Sequence, residues 1–155
     1  MPKIVAELLA EWRAADRRWE ATPQDDPSFR DVSIEVIRAW LAYQGAIDRQ
    51  HPGEFALVTD DDRLFVAVSA GVEATLGYAP ATILGQRIED LAGVDVAEET
   101  GHLWSAFIRE GRQDGTFALL HQDGSVVRLR YQARAHYPIA NFHLSRLWPL
   151  DQAAD

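Results

Sequence analysis

Residues 55–91 read FALVTDDDRLFVAVSAGVEATLGYAPATILGQRIEDL. The first five, Phe55–Thr59, and the later segment Arg63–Val68 are rich in the β-branched and aromatic residues that favour strands. Between them lies the triplet Asp60-Asp61-Asp62, which is typical of a tight turn. We therefore expect an antiparallel hairpin at the start of this stretch.

The part of the chain that follows the hairpin is broken into short pieces. From Ser69 to Ala97 no segment offers more than about two helical turns, because helix-breaking residues recur. These breaking residues are Gly71, Gly77, Pro80, Gly85 and Gly93. Farther on, Glu98–Glu110 carries apolar residues at helical spacing and is followed by Gly111, a typical stop signal, so it is predicted to be a helix.

The last third of the chain returns to the two-residue period of strands. Thr116–His121 and Ser125–Tyr137 flank the turn Gln122-Asp123-Gly124, and Asn141–Trp148 is the last predicted strand. One face of Ser125–Tyr137 is apolar and holds Val127, Leu129, Tyr131, Ala133 and Ala135. The opposite face is polar and holds Arg128, Arg130, Gln132, Arg134 and His136. The order of elements predicts an α+β fold, a five-stranded antiparallel sheet with short helices on one face.

A two-helix extension is predicted before this α+β body. Apolar residues recur at steps of three and four from Lys3 to Glu20, and again from Ser28 to about Ala46. Between them, Asp26 is placed to cap the second helix and Pro27 to occupy its first position. The domains expected from this pattern are an N-terminal helical hairpin over residues 1–50 and the α+β body over residues 51–155.

Composition excludes several classes of protein. Of the 155 residues, 47% are hydrophobic and 25% are charged, as in average globular proteins. No apolar run approaches the ~18–20 residues of a membrane span, and Glu7 comes too early for a signal peptide, so a cytoplasmic location is expected. The absence of cysteine excludes disulfides, zinc–thiolate sites, thiol nucleophiles and cysteinyl-flavin photochemistry. A net charge of −9 disfavours binding to nucleic acid.

The order of these features resembles the PAS family of sensory domains. Residues 55–91 are similar to the first half of that family, whose hairpin is followed by three short motifs. These motifs correspond here to Gly77-Tyr78-Ala79-Pro80, Gly85 and Asp90-Leu91. The segment FIREGRQDGTFALLHQDGSVVRLRYQARA resembles the second half, with its Asp-Gly turn at Asp123-Gly124. The resemblance extends from Glu54 to Pro149, and its specificity comes from the order and spacing of the motifs.

The resemblance implies a sensing or protein-interaction role in signal transduction or transcriptional regulation, without catalysis. Many members of the family continue into an effector domain, whereas this sequence ends in Leu147-Trp148-Pro149-Leu150 and a few polar residues. We therefore expect action through dimerisation or a signalling partner, without direct binding to nucleic acid or a membrane. Ser69 stands where many members have Asn, and it is expected to cap the following helix.

A sheet that faces short helices readily leaves an apolar space for a ligand. The residues predicted to line this space are Phe55, Leu57, Val66, Val68, Leu76, Tyr78, Leu103, Phe107, Leu129 and Tyr131. The same side chains would equally fill a core without a ligand, because core and pocket residues share one composition. A small apolar ligand is expected if one binds. The first expectation is that no cofactor is bound, and haem, flavin and a fatty acid stay open as the identity of a ligand.

Histidine is the residue by which some relatives of this fold hold haem. The candidate here is His102 on the predicted helix Glu98–Glu110. Its spacing to Gly111 is about one residue shorter than in haem-binding members, which rotates the ring by about 100° and favours an exposed role. His121, His136 and His143 fall on or next to predicted strands, with His136 on the polar face, so no metal site is expected.

The sequence shows no recognisable catalytic arrangement. It contains neither a Gly-x-Ser-x-Gly elbow nor a phosphate-cradling glycine loop. One enzyme class stays open as an alternative, a small cone-shaped α+β isomerase or hydrolase. Its acid–base pair would be Tyr78 with Asp90, or Tyr131 with His102.

The N-terminal hairpin presents large apolar side chains that are costly to leave in water. In one arrangement the hairpin packs on the body of its own chain. The other arrangement, which we adopt as the prediction, is a homodimer because two-fold dimers are the commonest assembly. Its predicted interface residues are Leu8, Trp12, Trp19, Val36, Trp40 and Ile47.

Overall fold

The computed structural model describes residues 3–51, 53–92 and 97–150, with side chains described from His102 onward in the last range. It divides into two compact units, Met1–Gln50 and His51–Asp155. None of the helices in the described ranges is both long and apolar enough to cross a membrane.

The first unit is a hairpin of two helices, α1 (Val5–Ala21) and α2 (Phe29–Gln50). Aromatic side chains join the two helices. The rings of Trp12 and Tyr43 stack with their centroids 5.4 Å apart, and those of Trp19 and Phe29 are 5.9 Å apart. The two-helix extension predicted from the apolar periodicity is therefore present.

The loop between these helices differs from the prediction. The carboxylate of Asp26 accepts hydrogen bonds from the backbone N–H and the hydroxyl of Ser28, at 2.8 and 2.7 Å. These bonds also lower the pKa of Asp26. Asp26 thus closes a turn ahead of the helix, and α2 begins only at Phe29, so the prediction of an Asp26 cap followed by Pro27 at the first helical position is wrong. At its other end α2 continues past Ala46 to Gln50.

The second unit is built on one antiparallel sheet. Its strands are β1 (Phe55–Asp60), β2 (Phe65–Val68), β3 (Arg112–Leu120), β4 (Val126–Arg134) and β5 (Phe142–Pro149). They lie in the order β2-β1-β5-β4-β3, and every neighbouring pair is antiparallel. The predicted α+β fold with a five-stranded antiparallel sheet is confirmed.

Short helices connect β2 to β3 in the described ranges. They are α3 (Gly71–Leu76), α4 (Pro80–Ile83), α5 (Ile88–Leu91) and the longer α6 (Ala97–Glu110). The core forms where apolar side chains from the helices meet the inner face of the sheet. Its buried members are Phe55, Leu57, Phe65, Val72, Leu76, Ile83, Leu91, Leu119, Leu129 and Leu147.

The end of α3 requires a glycine. Gly77 has a φ of 81°, a left-handed conformation that costs little only without a Cβ. A Cβ at this position would also lie 2.7 Å from Cε1 of His121 in the turn between β3 and β4. In the same place the N–H of Gln122 donates to the carbonyl oxygen of Leu76 at 2.8 Å. Gly77 therefore allows α3 to end directly against this turn.

Three local predictions are corrected by the structure. β3 begins at Arg112, directly after α6, and not at Thr116. β4 ends at Arg134 and not at Tyr137, because residues 135–141 form a turn, so His136 does not lie on the polar face of a strand. Ser69 does not cap α3. Its hydroxyl instead accepts the backbone N–H of Ala56 at 2.8 Å, which ties the start of α3 to β1.

Candidate functional site

A cavity of about 90 Å³ lies between the sheet and α6. It forms there because alternate side chains of each strand point to the same face, toward the helices. Its lining residues are Leu57, Phe65, Ile88, Leu103, Trp104, Phe107, Gln113, Phe117, Leu119, Tyr131, Ala133, Ser145 and Leu147. None of these side chains carries a formal charge, so the cavity suits an uncharged molecule.

The polar groups on the cavity wall are few and are mostly bonded to one another. The hydroxyl of Tyr131 donates to Oε1 of Gln113 at 2.7 Å. The side-chain amide of Gln113 in turn donates to the carbonyl oxygen of Leu103 on α6, at 3.2 Å. This chain of bonds links β4, β3 and α6 across one side of the cavity. Ser145 on β5 adds a hydroxyl group to the lining.

The size of the cavity limits what it can hold. A single water needs about 10–15 Å³, and an engineered cavity of about 150 Å³ admits benzene. Pockets for drug-sized ligands occupy about 300–1,000 Å³. The observed cavity of about 90 Å³ therefore suits a molecule of a few non-hydrogen atoms. The cavity would have to widen to admit haem, flavin or a fatty acid, the three ligands left open by the sequence.

The structure distributes the ten predicted pocket residues over three environments. The four that line the cavity are Leu57, Leu103, Phe107 and Tyr131. Five others belong to the core or pack against it, namely Phe55, Val68, Leu76, Tyr78 and Leu129. Val66 is 43% exposed. Tyr78 is not among the lining residues, and its hydroxyl donates to the carbonyl oxygen of Leu120 at 3.0 Å.

Sequence reasoning missed several lining residues, among them Trp104, Gln113 and Ser145. Trp104 could have been found, because it lies three residues before Phe107 and therefore shares its helical face. The two rings are indeed in edge contact, with centroids 5.7 Å apart. Gln113 carries no such signal in the sequence, because it precedes Thr116, the residue at which the pattern predicts β3 to begin.

The candidate haem ligand and the candidate acid–base pairs are not assembled around the cavity. His102 is exposed on α6 and is not among the lining residues. The hydroxyl of Tyr131 is engaged with Gln113. The hydroxyl of Tyr78 is engaged with Leu120, and the carboxylate of Asp90 accepts the backbone N–H of Arg87 at 2.8 Å. These contacts leave neither the Tyr78–Asp90 nor the Tyr131–His102 arrangement in place.

A second polar cluster, which the sequence did not predict, lies beside the cavity. One side-chain ligand atom from each of Asp61, His136 and His143 lies within 4.8 Å of the other two. Nε2 of His143 is 2.8 Å from Oδ1 of Asp61. The imidazole of His143 also contacts two cavity-lining rings edge-on, with centroids 5.3 Å from Trp104 and 5.9 Å from Phe107. His143 is buried, whereas Asp61 is exposed.

Hydrogen bonds define which nitrogen of each imidazole carries its proton. Nδ1 of His143 accepts the backbone N–H of His136, and Nδ1 of His136 accepts the backbone N–H of Asn141, each at 2.9 Å. A neutral imidazole has one N–H and one acceptor nitrogen. Both rings therefore carry their proton on Nε2, and His143 donates it to Asp61.

This pattern does not suit a metal ion. A metal ligand must be a nitrogen with a free lone pair. Here the Nδ1 lone pairs face backbone N–H donors and the Nε2 atoms carry protons. A coordinating histidine usually donates its other N–H to an acceptor, whereas these rings accept at that position. Asp61, His136 and His143 therefore form a hydrogen-bond chain and not a ready set of metal ligands.

The residues predicted to form a dimer interface lie in α1 and α2. Leu8, Trp12, Val36 and Ile47 are buried, and Trp19 and Trp40 are partly exposed. Part of this apolar surface is covered within the hairpin, since Trp12 stacks on Tyr43. The partly exposed tryptophans are the members of the set that could still contact a second chain.

No family model matches the sequence, and no curated protein matches it. Solved structures do match it. One is the PAS domain of a protein from Colwellia psychrerythraea, with 20% identity and a TM-score of 0.59, covering 71% of this chain and 97% of that one. Another is the PAS domain, in complex with ethanol, of a transcriptional regulator in the LuxR family from Burkholderia thailandensis. Its identity is 18% and its TM-score 0.57, and the match covers 70% of this chain and 97% of that one.

The likeness to these structures establishes the fold. The chain is an α+β protein that contains a PAS-like domain, as the ordered motifs from Gly77-Tyr78 to Asp123-Gly124 predicted. The two-helix extension of α1 and α2 precedes this domain along the chain.

Proposed function

We propose that the PAS-like domain is a sensing module of signal transduction or transcriptional regulation, and that its cavity binds a small uncharged molecule. The observation that carries this proposal is the uncharged cavity of about 90 Å³ between the sheet and α6. Among the described lining residues Tyr131 is the one titratable side chain, and its hydroxyl is bonded to Gln113. That composition supports binding without catalysis.

The proposed ligand class is a short alcohol or a comparably small neutral molecule. Its apolar part would contact the aromatic and aliphatic lining, and its polar group would lie near Tyr131, Gln113 or Ser145. One of the PAS domains compared above was described in complex with ethanol, a molecule of the size that this cavity admits. We infer that the chemistry of the ligand is limited by size and by the lack of charge.

Binding can be measured directly on the full chain. Ethanol, propanol and butanol would be titrated and followed by ¹H–¹⁵N chemical-shift changes, with shifts expected at Leu103, Phe107 and Tyr131. The variant Ala133→Leu, which adds volume to the cavity, is expected to weaken binding at least about tenfold. The matched control is Ala118→Leu, because Ala118 lies on β3 between two lining residues and outside the lining.

The outcome that contradicts the proposal is equal affinity in the two leucine variants, or shifts confined to residues outside the cavity. If Ala133→Leu does not fold, as judged by circular dichroism, Ser145→Ala provides a second test. It removes the hydroxyl group with little change in volume, and it is expected to weaken the binding of the alcohol. Native mass spectrometry and an absorption spectrum of the purified protein should show neither haem nor flavin, and a Soret or flavin band would refute the size argument.

A second candidate function, that of an isomerase or hydrolase, would require an acid–base pair facing the cavity. The structure does contain a carboxylate–imidazole pair, Asp61 and His143. However, Nε2 of His143 faces Asp61 and its Nδ1 accepts the N–H of His136, so neither nitrogen is available to a substrate. The pair therefore supports a structural role for His143 more than an acid–base role.

Dimerisation through α1 and α2 is a further part of the proposal. It is supported by the partial exposure of Trp19 and Trp40, two large apolar side chains of the predicted interface. Light scattering at tens of micromolar should give the mass of a dimer. The double variant Trp19→Glu/Trp40→Glu should give the mass of one chain, with Leu84→Glu as a control at an exposed position of the PAS-like domain. A wild-type mass of one chain would refute dimerisation.

A further inference from the structure

A chain of hydrogen bonds connects two turns of the PAS-like domain through the buried imidazole of His143. It runs from the N–H of Asn141 to His136, from the N–H of His136 to His143, and from His143 to Asp61. Asp61 lies in the turn between β1 and β2, and His136 and Asn141 belong to the turn between β4 and β5. Two turns that are distant in sequence are therefore joined through one ring.

The turn between β4 and β5 has an unusual backbone. His136 has a φ of 52° and Asn141 a φ of 73°, so both non-glycine residues lie in the left-handed region. Non-glycine residues adopt this left-handed region at a cost, which the surrounding structure must offset. The backbone N–H groups of these same two residues are the donors to the imidazoles. The hydrogen bonds to the two imidazoles thus act together with the backbone bond from Tyr137 to Phe142 in holding this conformation.

We propose that Asp61, His143, His136 and Asn141 form a proton-operated latch, which holds the turn between β4 and β5 while His143 is neutral and releases it when His143 takes up a proton. The proton comes from solvent and forms a new N–H bond at Nδ1 of His143, since Nε2 already carries a hydrogen. Nδ1 would then face the N–H of His136, a second donor, at 2.9 Å. That hydrogen bond must break, which frees the His136 end of the turn, whereas the backbone bond from the N–H of Tyr137 to the carbonyl oxygen of Phe142 on β5 is retained.

The opposite side of the ring behaves differently. The bond from Nε2 of His143 to Asp61 becomes a charge-assisted bond when the ring is positive, and such bonds are stronger. The attachment to the β1–β2 turn is therefore retained, and the β4–β5 turn is the part that moves. Asp61 is exposed and is bonded to the buried ring at Nε2, so it holds the positive ring on the side opposite to the new N–H bond.

The charged and titratable groups around His143 are of both signs. Asp61 and Asp60 in the β1–β2 turn favour the protonated ring, and His136 in the β4–β5 turn disfavours it. The rings packed from α6, Trp104 and Phe107, are uncharged. Burial outweighs the two carboxylates, so the pKa of His143 is lowered from its ordinary value. The latch is consequently closed at neutral pH and opens on acidification.

Release of the turn between β4 and β5 would also affect the cavity, because His143 contacts residues that line it. Trp104 and Phe107 line the cavity and contact the imidazole of His143 edge-on. Ser145 and Leu147, which follow on the same face of β5, line it as well. The latch is independent of the proposed ligand, because it is defined by contacts outside the lining, and it can be tested on the ligand-free protein.

The test uses the full chain with ¹⁵N-labelled histidine, observed by long-range ¹H–¹⁵N spectra from pH 8 to pH 5. At pH 8 His143 should show the tautomer with its proton on Nε2. Its titration midpoint should lie below 6.5, and the amides of His136 and Asn141 should shift with that same midpoint. A proton on Nδ1 at pH 8, a midpoint at or above 6.5, or amides that do not follow the titration would overturn the proposal.

Variants and a metal titration separate the latch from a merely structural contact. His143→Asn keeps an acceptor for the N–H of His136 but cannot take up a proton, so the acid-induced amide shifts should disappear. They should persist in His102→Gln, which removes an exposed histidine. If His143→Asn does not fold, Asp61→Asn retains His143, and its midpoint should move to lower pH. An unchanged or higher midpoint, or loss of the Nε2 proton on addition of Zn²⁺ at pH 8, would contradict the latch.

Discussion

The Nε2 atom of His143 lies 2.8 Å from Oδ1 of Asp61, although the two residues are 82 positions apart in the sequence. The side chain of His143 has no exposed surface, whereas that of Asp61 is 53% exposed. The pair therefore connects a buried, neutral imidazole to the surface of the PAS-like domain. Its position beside Trp104 and Phe107 makes it the polar neighbour of an otherwise uncharged cavity.

The first prediction concerns the pH dependence of stability. Burial lowers the pKa of His143 in the folded state below its unfolded value near 6.5. The unfolded chain then binds more protons at this residue, so the contribution of His143 to the free energy of unfolding is complete above about pH 6.5 and is lost as the pH decreases through the folded pKa. Chemical denaturation at a series of pH values measures this slope.

The variant His143→Asn should show a flatter dependence between pH 7 and pH 5 than wild type. His102→Gln should retain the slope, because His102 is exposed. An identical slope in wild type and His143→Asn would show that His143 does not contribute to it.

The second prediction concerns Gly77. Both Gly77 and Gly85 have positive φ, 81° and 83°, but only the former has a close neighbour at the position of a Cβ. Gly85→Ala should therefore cost about 1–2 kcal/mol for the backbone conformation alone. Gly77→Ala should cost more, because its Cβ would lie 2.7 Å from His121. Equal free energies of unfolding in the two variants would contradict the close approach of α3 to this turn.

The third prediction tests the position of the core on the inner face of the sheet. Leu129 on β4 is fully buried, and Val126 on the same strand is 63% exposed. Leu129→Ala should destabilise the domain by about 2–5 kcal/mol, and Val126→Ala should change stability by no more than about 0.5 kcal/mol. Urea unfolding of both variants provides the comparison. Similar losses would mean that the inner and outer faces of β4 are assigned incorrectly.

The fourth prediction separates a cavity residue from a core residue of the same type. Tyr131 donates its hydroxyl to Gln113 on the cavity wall, and Tyr78 donates to a backbone carbonyl outside the cavity. Each Tyr→Phe variant should lose about 1 kcal/mol of stability with its hydrogen bond. Only Tyr131→Phe should alter the affinity for a short alcohol. A change of affinity in Tyr78→Phe but not in Tyr131→Phe would refute the assignment of the cavity wall.

The fold was largely predictable because its signals are local. The alternation of Val127, Leu129 and Tyr131 indicates which face of β4 meets the core, and the aspartates at the end of β1 indicate a turn. Asp60 performs that role, since its carboxylate accepts the N–H groups of Asp62 and Leu64 at 2.9 and 3.0 Å. Local hydrogen bonds of this kind depend only on residues that are neighbours in the chain.

The candidate site was predictable only in part, because it depends on packing. Leu57 and Leu129 are both buried core residues of alternating strands, yet only Leu57 also lines the cavity. No property of either residue distinguishes them, since the difference depends on how closely the helices approach each strand.

The sequence by itself determined the antiparallel sheet, the short helices and the two-helix extension, because periodicity and turn residues act over a few positions. The size of the cavity and the meeting of Asp61, His136 and His143 were decided by the tertiary structure alone. β1 and β5 are neighbours in the sheet but far apart in the chain. Their pairing, together with the positive φ of His136, brings these three side chains within reach of one another.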